Sequence, residues 1–256
     1  MKLLTEFVFL AFFVTAFYAC SWFQDEDDDP PESLDYSWVA DLPALDLSKP
    51  HRILCLGNSI TLHAENDDVG WYSRHGMAAS SPDRDYVHQL QSLIRIHNEN
   101  SEVIPVSMGF WERDYSKNLD SIISTYLDGV DVIIVRLGEN MDDNYQTSDY
   151  EIIFDTLFRY SKQHASYVMA TGLYWTHYKK ELGCLKAAKK NGVKVAQIDW
   201  IFQIGEPVSP QIGDTIMDVN GLPYTVTSEF IVTHPNDRGM KMIAQEIYKI
   251  LVGEPP

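Results

Sequence analysis

The sequence predicts an α/β protein, a three-layer α/β/α sandwich with a central, mostly parallel five-stranded sheet. Two observations support this fold class. From Arg52 onward, short apolar segments of strand length alternate with longer segments of helical periodicity, and this order favours parallel strands with helices on both faces. The length of 256 residues and the hydrophobic content of 45% are enough for one such domain with additional terminal segments.

Each predicted element follows from its own segment. The strand candidates are short apolar runs: Ile53–Leu56, Val103–Ser107, Val130–Leu137, Ser166–Thr171 and Val193–Ile198. The helix candidates are longer: Arg84–His97, Lys117–Leu127, Asp149–Gln163, Lys179–Lys190 and Asn236–Leu251. The segment from Val208 to Thr233 breaks the alternation, and Asn220-Gly221 within it predicts a β-hairpin turn.

The sequence divides into three predicted parts. Residues 1–20 form a signal segment, residues 21–48 an acidic tether with an extended lead-in, and residues 49–256 the folded domain. The tether contains the run Asp25–Asp29, followed by two prolines. Such a run cannot bury itself and predicts a solvated spacer. It also resembles the surface-export signal of some Gram-negative lipoproteins, and the two roles are compatible.

The signal segment has an apolar run from Phe7 to Tyr18 after a basic residue. This layout is typical of secretory signals, and the run is short for a transmembrane helix. Ala19-Cys20 resembles the end of a bacterial lipobox, in which the cysteine is lipidated, although Phe17 stands where leucine is usual. We therefore expect an exported lipoprotein anchored through Cys20 at the outer membrane or cell surface, with the periplasmic side also open. Ordinary signal-peptidase cleavage and an uncleaved anchor are the alternatives.

The formal net charge of -17 argues against nucleic acid or an anionic membrane surface as a partner, because phosphate binding requires basic patches. We expect contact with a membrane only through the lipid anchor. Besides Cys20, the sequence contains Cys55 and Cys184, which are expected to be small buried hydrophobic side chains rather than a disulfide framework.

Three polar turns carry the residues that could take part in a reaction. Gly57-Asn58-Ser59 follows the first predicted strand, Gly138-Glu139-Asn140 follows the third, and His234-Pro235 precedes the last helix. Open α/β sheets bind ligands at the carboxyl ends of their strands. A serine at such an end, with a histidine available nearby, predicts a nucleophile and its base.

Together with Gly109, these turns resemble the motifs of the SGNH (GDSL-type) hydrolase superfamily, which is named for a serine, a glycine, an asparagine and a histidine in this chain order. The resemblance spans Arg52 to Leu251. It implies a flavodoxin-like fold and hydrolysis of carboxylic esters. Each motif alone is short, and the indication comes from all four occurring in order after predicted strands or before the last helix.

The resemblance also implies a role for each residue. Ser59 attacks the ester, and His234 is the base that later protonates the leaving alcohol. The oxyanion hole consists of the backbone N–H groups of Ser59 and Gly109 and the side-chain amide of Asn140. Each residue has a structural alternative: Ser59 could cap the following helix, Gly109 could only turn the chain, and Asn140 could bond its own backbone.

The sequence departs from the superfamily pattern in two places. Asn58 replaces the usual aspartate beside the serine, and Ile231 stands three residues before His234, where the superfamily has an aspartate that orients the imidazole. The site therefore resembles a Ser–His dyad. The group that orients His234 is left open among these: Glu229, Asp199, Asp142, Glu139 or a backbone carbonyl.

Three tryptophans, Trp71, Trp111 and Trp175, lie in predicted loops near the strand ends. They are candidates to line a cleft for sugar rings or acyl chains, and covering the edge of the sheet is an equal alternative. The remaining histidines show no paired spacing for zinc, and the chain has no phosphate-binding glycine loop or dinucleotide motif. We therefore expect no metal and no cofactor.

These features predict a serine ester hydrolase that removes small acyl groups, acetyl being the first candidate, from a small-molecule or polysaccharide ester. The carbohydrate part rests on analogy with exported bacterial members of the superfamily and on the tryptophans. Two alternatives stay open: a lysophospholipase or thioesterase acting on lipid, and a non-catalytic binding lipoprotein with the same fold.

Overall fold

The computed structural model describes residues 34–204 and 207–254. The predicted signal segment, Cys20 and the acidic run Asp25–Asp29 lie outside the described residues. The ordered lead-in before the first strand packs on the domain, where Tyr36, Val39 and Leu47 are buried. Its Leu45 N–H donates to the Leu251 carbonyl oxygen at 2.8 Å, so residues from 34 onward belong to the fold.

The centre of the fold is a five-stranded, fully parallel sheet. Its strands are β1 (Arg52–Gly57), β2 (Glu102–Ser107), β3 (Val132–Arg136), β4 (Tyr167–Thr171) and β5 (Lys194–Ala196), in the order β2-β1-β3-β4-β5. Every residue of β3 is buried, as expected for a central strand covered on both faces. The prediction of a parallel five-stranded sheet is confirmed.

Helices cover both faces of the sheet. They are α1 (Tyr86–Arg95), α2 (Leu119–Ile123), α3 (Thr147–His164), α4 (Tyr178–Asn191), α5 (Asp199–Gln203) and α6 (Asp237–Val252). The chain proceeds from β1 outward to β2, and then from β3 to β5 in the opposite direction. Because crossovers between parallel strands are almost always right-handed, this order places the helices in two layers. In agreement, α1 packs against α6, and α3 packs against α4.

Two helical predictions need correction. The helix predicted over Lys117–Leu127 is α2 followed by a 3-10 turn at Ser124–Tyr126, and the chain turns again at Gly129, whose φ is +69°. The short helix α5 was not predicted. It has only five residues and one buried side chain, Ile201, so its sequence has too few apolar positions to show a helical period.

The predicted hairpin consists of the antiparallel strands β6 (Thr215–Met217) and β7 (Pro223–Thr225). It packs on a small apolar cluster, which we name the hairpin cluster: Trp71, Met77, Ala78, Ile216, Val226 and Ile231. The cluster joins the segment after the first polar turn to the segment before His234. It therefore helps to bring two distant parts of the chain to the same edge of the sheet.

Both remaining cysteines, Cys55 and Cys184, are free and buried, as predicted. Among the described residues, no helix has the length and apolarity to cross a membrane.

Candidate active site

Ser59 lies directly beyond the carboxyl end of β1. The chain turns tightly at Gly57, where a Cβ atom would lie 1.8 Å from the Thr61 side-chain oxygen, so only glycine fits. The turn is held by N–H groups of Thr61 and Leu62, which donate to the Asn58 carbonyl oxygen at 2.9 and 3.0 Å. The carbonyl oxygen of Ser59 accepts from the Met77 N–H at 2.8 Å. The serine backbone is thus fixed on both sides.

His234 faces this serine, with its Nε2 atom 2.9 Å from the Ser59 Oγ. Its Nδ1 atom lies 2.9 Å from the Phe230 carbonyl oxygen. A carbonyl oxygen only accepts hydrogen bonds, so the proton of the neutral imidazole is on Nδ1. Nε2 then carries the lone pair and accepts from the Ser59 hydroxyl, which is the arrangement a general base requires.

The imidazole of His234 is buried between aromatic rings. Trp175 meets it edge-on with ring centroids 5.2 Å apart, and Phe230 lies 5.0 Å away. The Trp175 indole N–H donates to the Thr233 carbonyl oxygen at 3.1 Å, which holds the ring in place. Burial lowers the pKa of His234 to about 4, and the hydrogen bond to Phe230 offsets part of this effect. His234 is therefore neutral at pH 7.

Within the described part of the chain, no carboxylate bonds His234. Glu229 is exposed, and Asp199 lies near Tyr36 and Glu181 instead. Asp142 bonds Asn144, and Glu139 bonds Arg136. Ile231 is fully buried in the hairpin cluster. Of the groups that the sequence left open for orienting His234, the one that bonds its ring is a backbone carbonyl, which belongs to Phe230.

The predicted oxyanion donors come together beside Ser59. A Cβ atom on Gly109 would lie 3.7 Å from both the Asn140 Nδ2 and the Asn58 Cβ, so Gly109 lies against both turns. Across residues 34–204 and 207–254, the N–H groups of Ser59 and Gly109 have no protein acceptor. Two backbone donors and a side-chain amide at one place can stabilise an oxyanion.

The turn that carries Asn140 begins at Gly138, which has a φ of +137° and would place a Cβ 2.4 Å from Leu173. Both the backbone conformation and the space require glycine. The Asn140 side chain bonds Glu112 and Arg113 rather than its own backbone. Likewise, the Ser59 hydroxyl faces His234 and does not cap a helix. These contacts favour the functional alternative at both positions.

A buried charged network lies under the donors and involves Asn58. Arg136 donates to the Asn58 Oδ1 at 2.8 Å and to Glu139 at 2.6 Å, and the Asn58 Nδ2 donates to Glu139 at 2.6 Å. Burial and the Glu139 carboxylate raise the pKa of Glu112 to about 7. An amide at position 58 bonds the cation with its oxygen and the acid with its nitrogen, which a carboxylate could not do.

Sequence reasoning missed the contributions of Phe230, Glu112, Arg113 and Arg136. Phe230 contributes a backbone atom, which no residue type reveals. Glu112 and Arg113 lie three and four residues after Gly109, and this proximity to a predicted oxyanion donor is the only signal that the sequence offers. Arg136 is the charged last residue of a strand that is otherwise apolar, and a charged residue in such a segment indicates a buried ion pair.

The three tryptophan candidates differ in their environments. Trp175 is half-buried beside His234. Trp71 and Trp111 are almost fully buried, at 0% and 2% exposure. Trp71 belongs to the hairpin cluster, and its indole N–H donates to the His63 carbonyl oxygen; Trp111 packs in the main core. The prediction that Trp71 and Trp111 line a wet cleft is corrected, because their rings have no surface left for a ligand.

No protein-family model and no curated protein sequence matches the chain. Solved structures do match it. LAE5, an alpha/beta hydrolase enzyme from the metagenome of Lake Arreo in Spain, has a TM-score of 0.53 at 16% identity, over 80% of this chain and 97% of its own. Axe2, an acetylxylan esterase from Geobacillus stearothermophilus, has a TM-score of 0.51 at 14% identity, over 81% and 96%.

A third similar structure is the psychrotrophic esterase EstA from Pseudoalteromonas sp., with a TM-score of 0.50 at 14% identity, over 78% of this chain and 96% of its own. The chain shares the fold of these hydrolases and esterases. At these identities the similarity concerns the fold, and the function must be argued from the site.

Proposed function

We propose that the chain is a serine ester hydrolase that removes small acyl groups by a Ser–His mechanism. The observation that carries the proposal is the 2.9 Å contact between the Ser59 hydroxyl and a His234 Nε2 that must accept. Beside it lie the Asn140 amide and two N–H groups that have no acceptor among the described residues. Nucleophile, base and oxyanion donors are the parts that acyl transfer requires.

In the proposed reaction, the Ser59 oxygen forms a bond to the ester carbonyl carbon while its proton moves to the His234 Nε2. The N–H groups of Ser59 and Gly109 and the Asn140 amide stabilise the oxyanion. When the bond to the leaving oxygen breaks, His234 returns the proton to that oxygen and the alcohol departs. A water molecule then repeats these steps on the acyl-enzyme, releasing the acid and restoring the serine hydroxyl.

An acetylated carbohydrate is the substrate class we propose first. Trp175 is half-buried beside the base, and a flat aromatic face at a cleft suits a sugar ring. Axe2, which shares the fold, is an acetylxylan esterase, and this analogy supports the same class of substrate. No metal or cofactor is required by the proposed steps.

A lipid acyl ester is the second candidate, and it is favoured by two exposed phenylalanines. Phe110 follows Gly109 directly and is 43% exposed, and Phe230 precedes the His234 segment and is 47% exposed. Apolar side chains at the two ends of the site would suit a long acyl chain.

Turnover of p-nitrophenyl esters of increasing acyl length distinguishes these functions. Highest kcat/KM for the acetate supports deacetylation, and kcat/KM that rises with chain length supports the lipid alternative. A fluorophosphonate probe should label the wild type and Ser116→Ala, an exposed serine variant, but not Ser59→Ala. Absence of both turnover and labelling in the wild type would support a non-catalytic binding protein.

We also propose that the protein is exported and anchored through lipidated Cys20. The proposal rests on the apolar run that ends at Ala19-Cys20. Cys20→Ser should move the protein from the membrane fraction to a soluble or unprocessed form. A wild-type protein that is soluble and begins at another residue would contradict lipidation.

A further inference from the structure

The side-chain amide of Asn140 is hydrogen-bonded at both its nitrogen and its oxygen, by the side chains of the consecutive residues Glu112 and Arg113. Its Nδ2 donates to the Glu112 carboxylate at 2.6 Å, and its Oδ1 accepts from the Arg113 guanidinium at 3.0 Å. We infer that Glu112 and Arg113 are positioning residues that hold the Asn140 amide in its oxyanion-donating orientation. This inference rests on the proposed function.

An asparagine amide has two nearly isosteric ends, and only one of them suits an oxyanion. With Nδ2 toward Glu112, one N–H is used by the carboxylate and the second is left for the substrate. A flipped amide would place its N–H₂ group against the guanidinium, which is repulsive at any pH at which the protein is folded, and its oxygen against the Glu112 carboxyl group, which is repulsive above the Glu112 pKa of about 7. Hydrogen bonds to charged groups are about twice as strong as neutral ones, which makes the two contacts effective against rotation.

The same two side chains also hold the backbone on either side of the donors. Glu112 accepts from the Gly138 N–H with its other carboxylate oxygen, so one carboxylate holds both the start of the turn and the amide within it. Arg113 donates to the Gly109 carbonyl oxygen at 3.1 Å. One guanidinium therefore links the Gly109 peptide to Asn140, and two of the three oxyanion donors are kept in register.

The far side of the turn is fixed independently. The ammonium group of Lys180, which is buried, donates to the Met141 carbonyl oxygen at 2.7 Å. The backbone around Asn140 is thus held from α4 as well, and what Glu112 and Arg113 add is control of the side-chain rotation. Arg113 is exposed, so its loss should affect this rotation much more than the stability of the fold.

A double-mutant cycle with p-nitrophenyl acetate tests the inference, because this substrate has no anionic group for Arg113 to bind. Arg113→Met should lower kcat about tenfold at unchanged KM, since charged contacts of this kind are worth an order of magnitude or more. Arg113→Lys, which keeps the charge but cannot bridge two acceptors in one plane, should give an intermediate loss. In the Asn140→Ala background, Arg113→Met should change kcat less than twofold. Arg159→Met, on the exposed surface of α3, is the matched control and should have no effect.

A loss that persists at full size in the Asn140→Ala background would overturn the inference, since Arg113 would then act on the substrate directly. An increase in KM without a change in kcat would overturn it as well.

A second measurement does not depend on catalysis. The ¹⁵N-labelled side-chain amide of Asn140, assigned by its disappearance in Asn140→Ala, should exchange its protons with water at least tenfold faster in Glu112→Gln than in the wild type. Unchanged exchange in folded Glu112→Gln would overturn the inference. If the wild type shows slow exchange but no esterase activity, the proposed function fails, while the inference that Glu112 and Arg113 hold the Asn140 amide stands.

Discussion

The two sides of Ser59 are built from opposite kinds of groups. On the base side, His234 is surrounded by Trp175 and Phe230 and is oriented by a backbone carbonyl. No carboxylate of the described chain bonds its ring. The ring contacts on this side are aromatic.

On the oxyanion side, the donors rest on buried charges. The side chains of Arg136, Glu139 and Glu112 surround Asn58. Glu112 also accepts a hydrogen bond from the Asn140 amide. On this side the amides of Asn58 and Asn140 are hydrogen-bonded to acidic and basic side chains.

The contrast shows that Asn58 and Ile231, the two departures from the pattern that the sequence resembles, have different consequences. At position 58, the amide bonds the Arg136 cation with its oxygen and the Glu139 carboxylate with its nitrogen. An aspartate at this position would place a further negative charge beside Glu139. At position 231, the orienting charge is absent and a carbonyl dipole takes over the orientation of the imidazole. A carbonyl dipole stabilises imidazolium less than a carboxylate does, which agrees with the lowered pKa of His234. Four predictions test the contrast, from the largest expected effect to the smallest.

Removing the base should abolish most of the activity. We expect His234→Ala to lower kcat by at least about 10⁴-fold, close to the loss in Ser59→Ala, and the double variant to be little worse, because the two residues act as one unit. Steady-state kinetics with p-nitrophenyl acetate measures this. His97→Ala removes an exposed histidine bonded to Tyr248 and should leave kcat unchanged. Additive losses would contradict a Ser–His unit.

Breaking the charged side should unfold the protein more readily. Arg136 is fully buried and bonds Glu139 and Asn58, so Arg136→Met leaves buried acids without their cation. The free energy of unfolding should fall by about 3–5 kcal/mol, measured by urea denaturation. Arg159→Met should change it by less than about 0.5 kcal/mol. An unchanged midpoint in Arg136→Met would mean that the network contributes no stability.

Removing the side-chain oxyanion donor should be less damaging than removing the base. We expect Asn140→Ala to lower kcat by about 10²–10³-fold, the usual loss for one such donor, with little change in KM. Asn144→Ala, an exposed asparagine of the same loop bonded to Asp142, should have no effect. A loss of stability at unchanged kcat would indicate a structural role only.

Opening the base side to water should raise the pKa of His234 from about 4. In Trp175→Ala we expect a rise of about one unit toward the ordinary value of about 6.5, because burial is the main cause of the lowering. The titration of the imidazole protons by NMR measures it. Trp38→Ala, which removes a tryptophan bonded to the Asp35 carbonyl oxygen, should leave the titration unchanged. A pKa that stays near 4 would show that Trp175 does not exclude water.

The lowered pKa of His234 also makes the stability of the fold depend on pH. The folded protein binds the His234 proton less tightly than the unfolded chain does, so this group destabilises the fold as the pH falls from about 6.5 through 4. Trp175→Ala should weaken this acid dependence.

Much of the fold was predictable because its signals are local. All five parallel strands were predicted to within two residues at each end, since buried strands between helices are short apolar runs with polar turns at their ends. The hairpin followed from Asn220-Gly221, whose backbone preference is local as well. The helix α5 was missed because a five-residue helix has too little sequence to show its period.

The sequence by itself determined which residues are candidates for the reaction. Ser59, Gly109, Asn140 and His234 were chosen from residue type and from their position at strand or helix ends, and the structure places all four at one edge of the sheet. The sequence also shows that position 231 is isoleucine, so that no aspartate there can orient His234.

Only the tertiary structure decided how those residues are held. The orienting group of His234 is a main-chain carbonyl, and all residues have one, so sequence could not select Phe230. The exposure of a tryptophan depends on what packs over it, and this separated the buried Trp71 and Trp111 from Trp175. The tautomer, the burial and the charges around a reactive group are properties of contacts between distant segments, and those contacts exist only once the chain has folded.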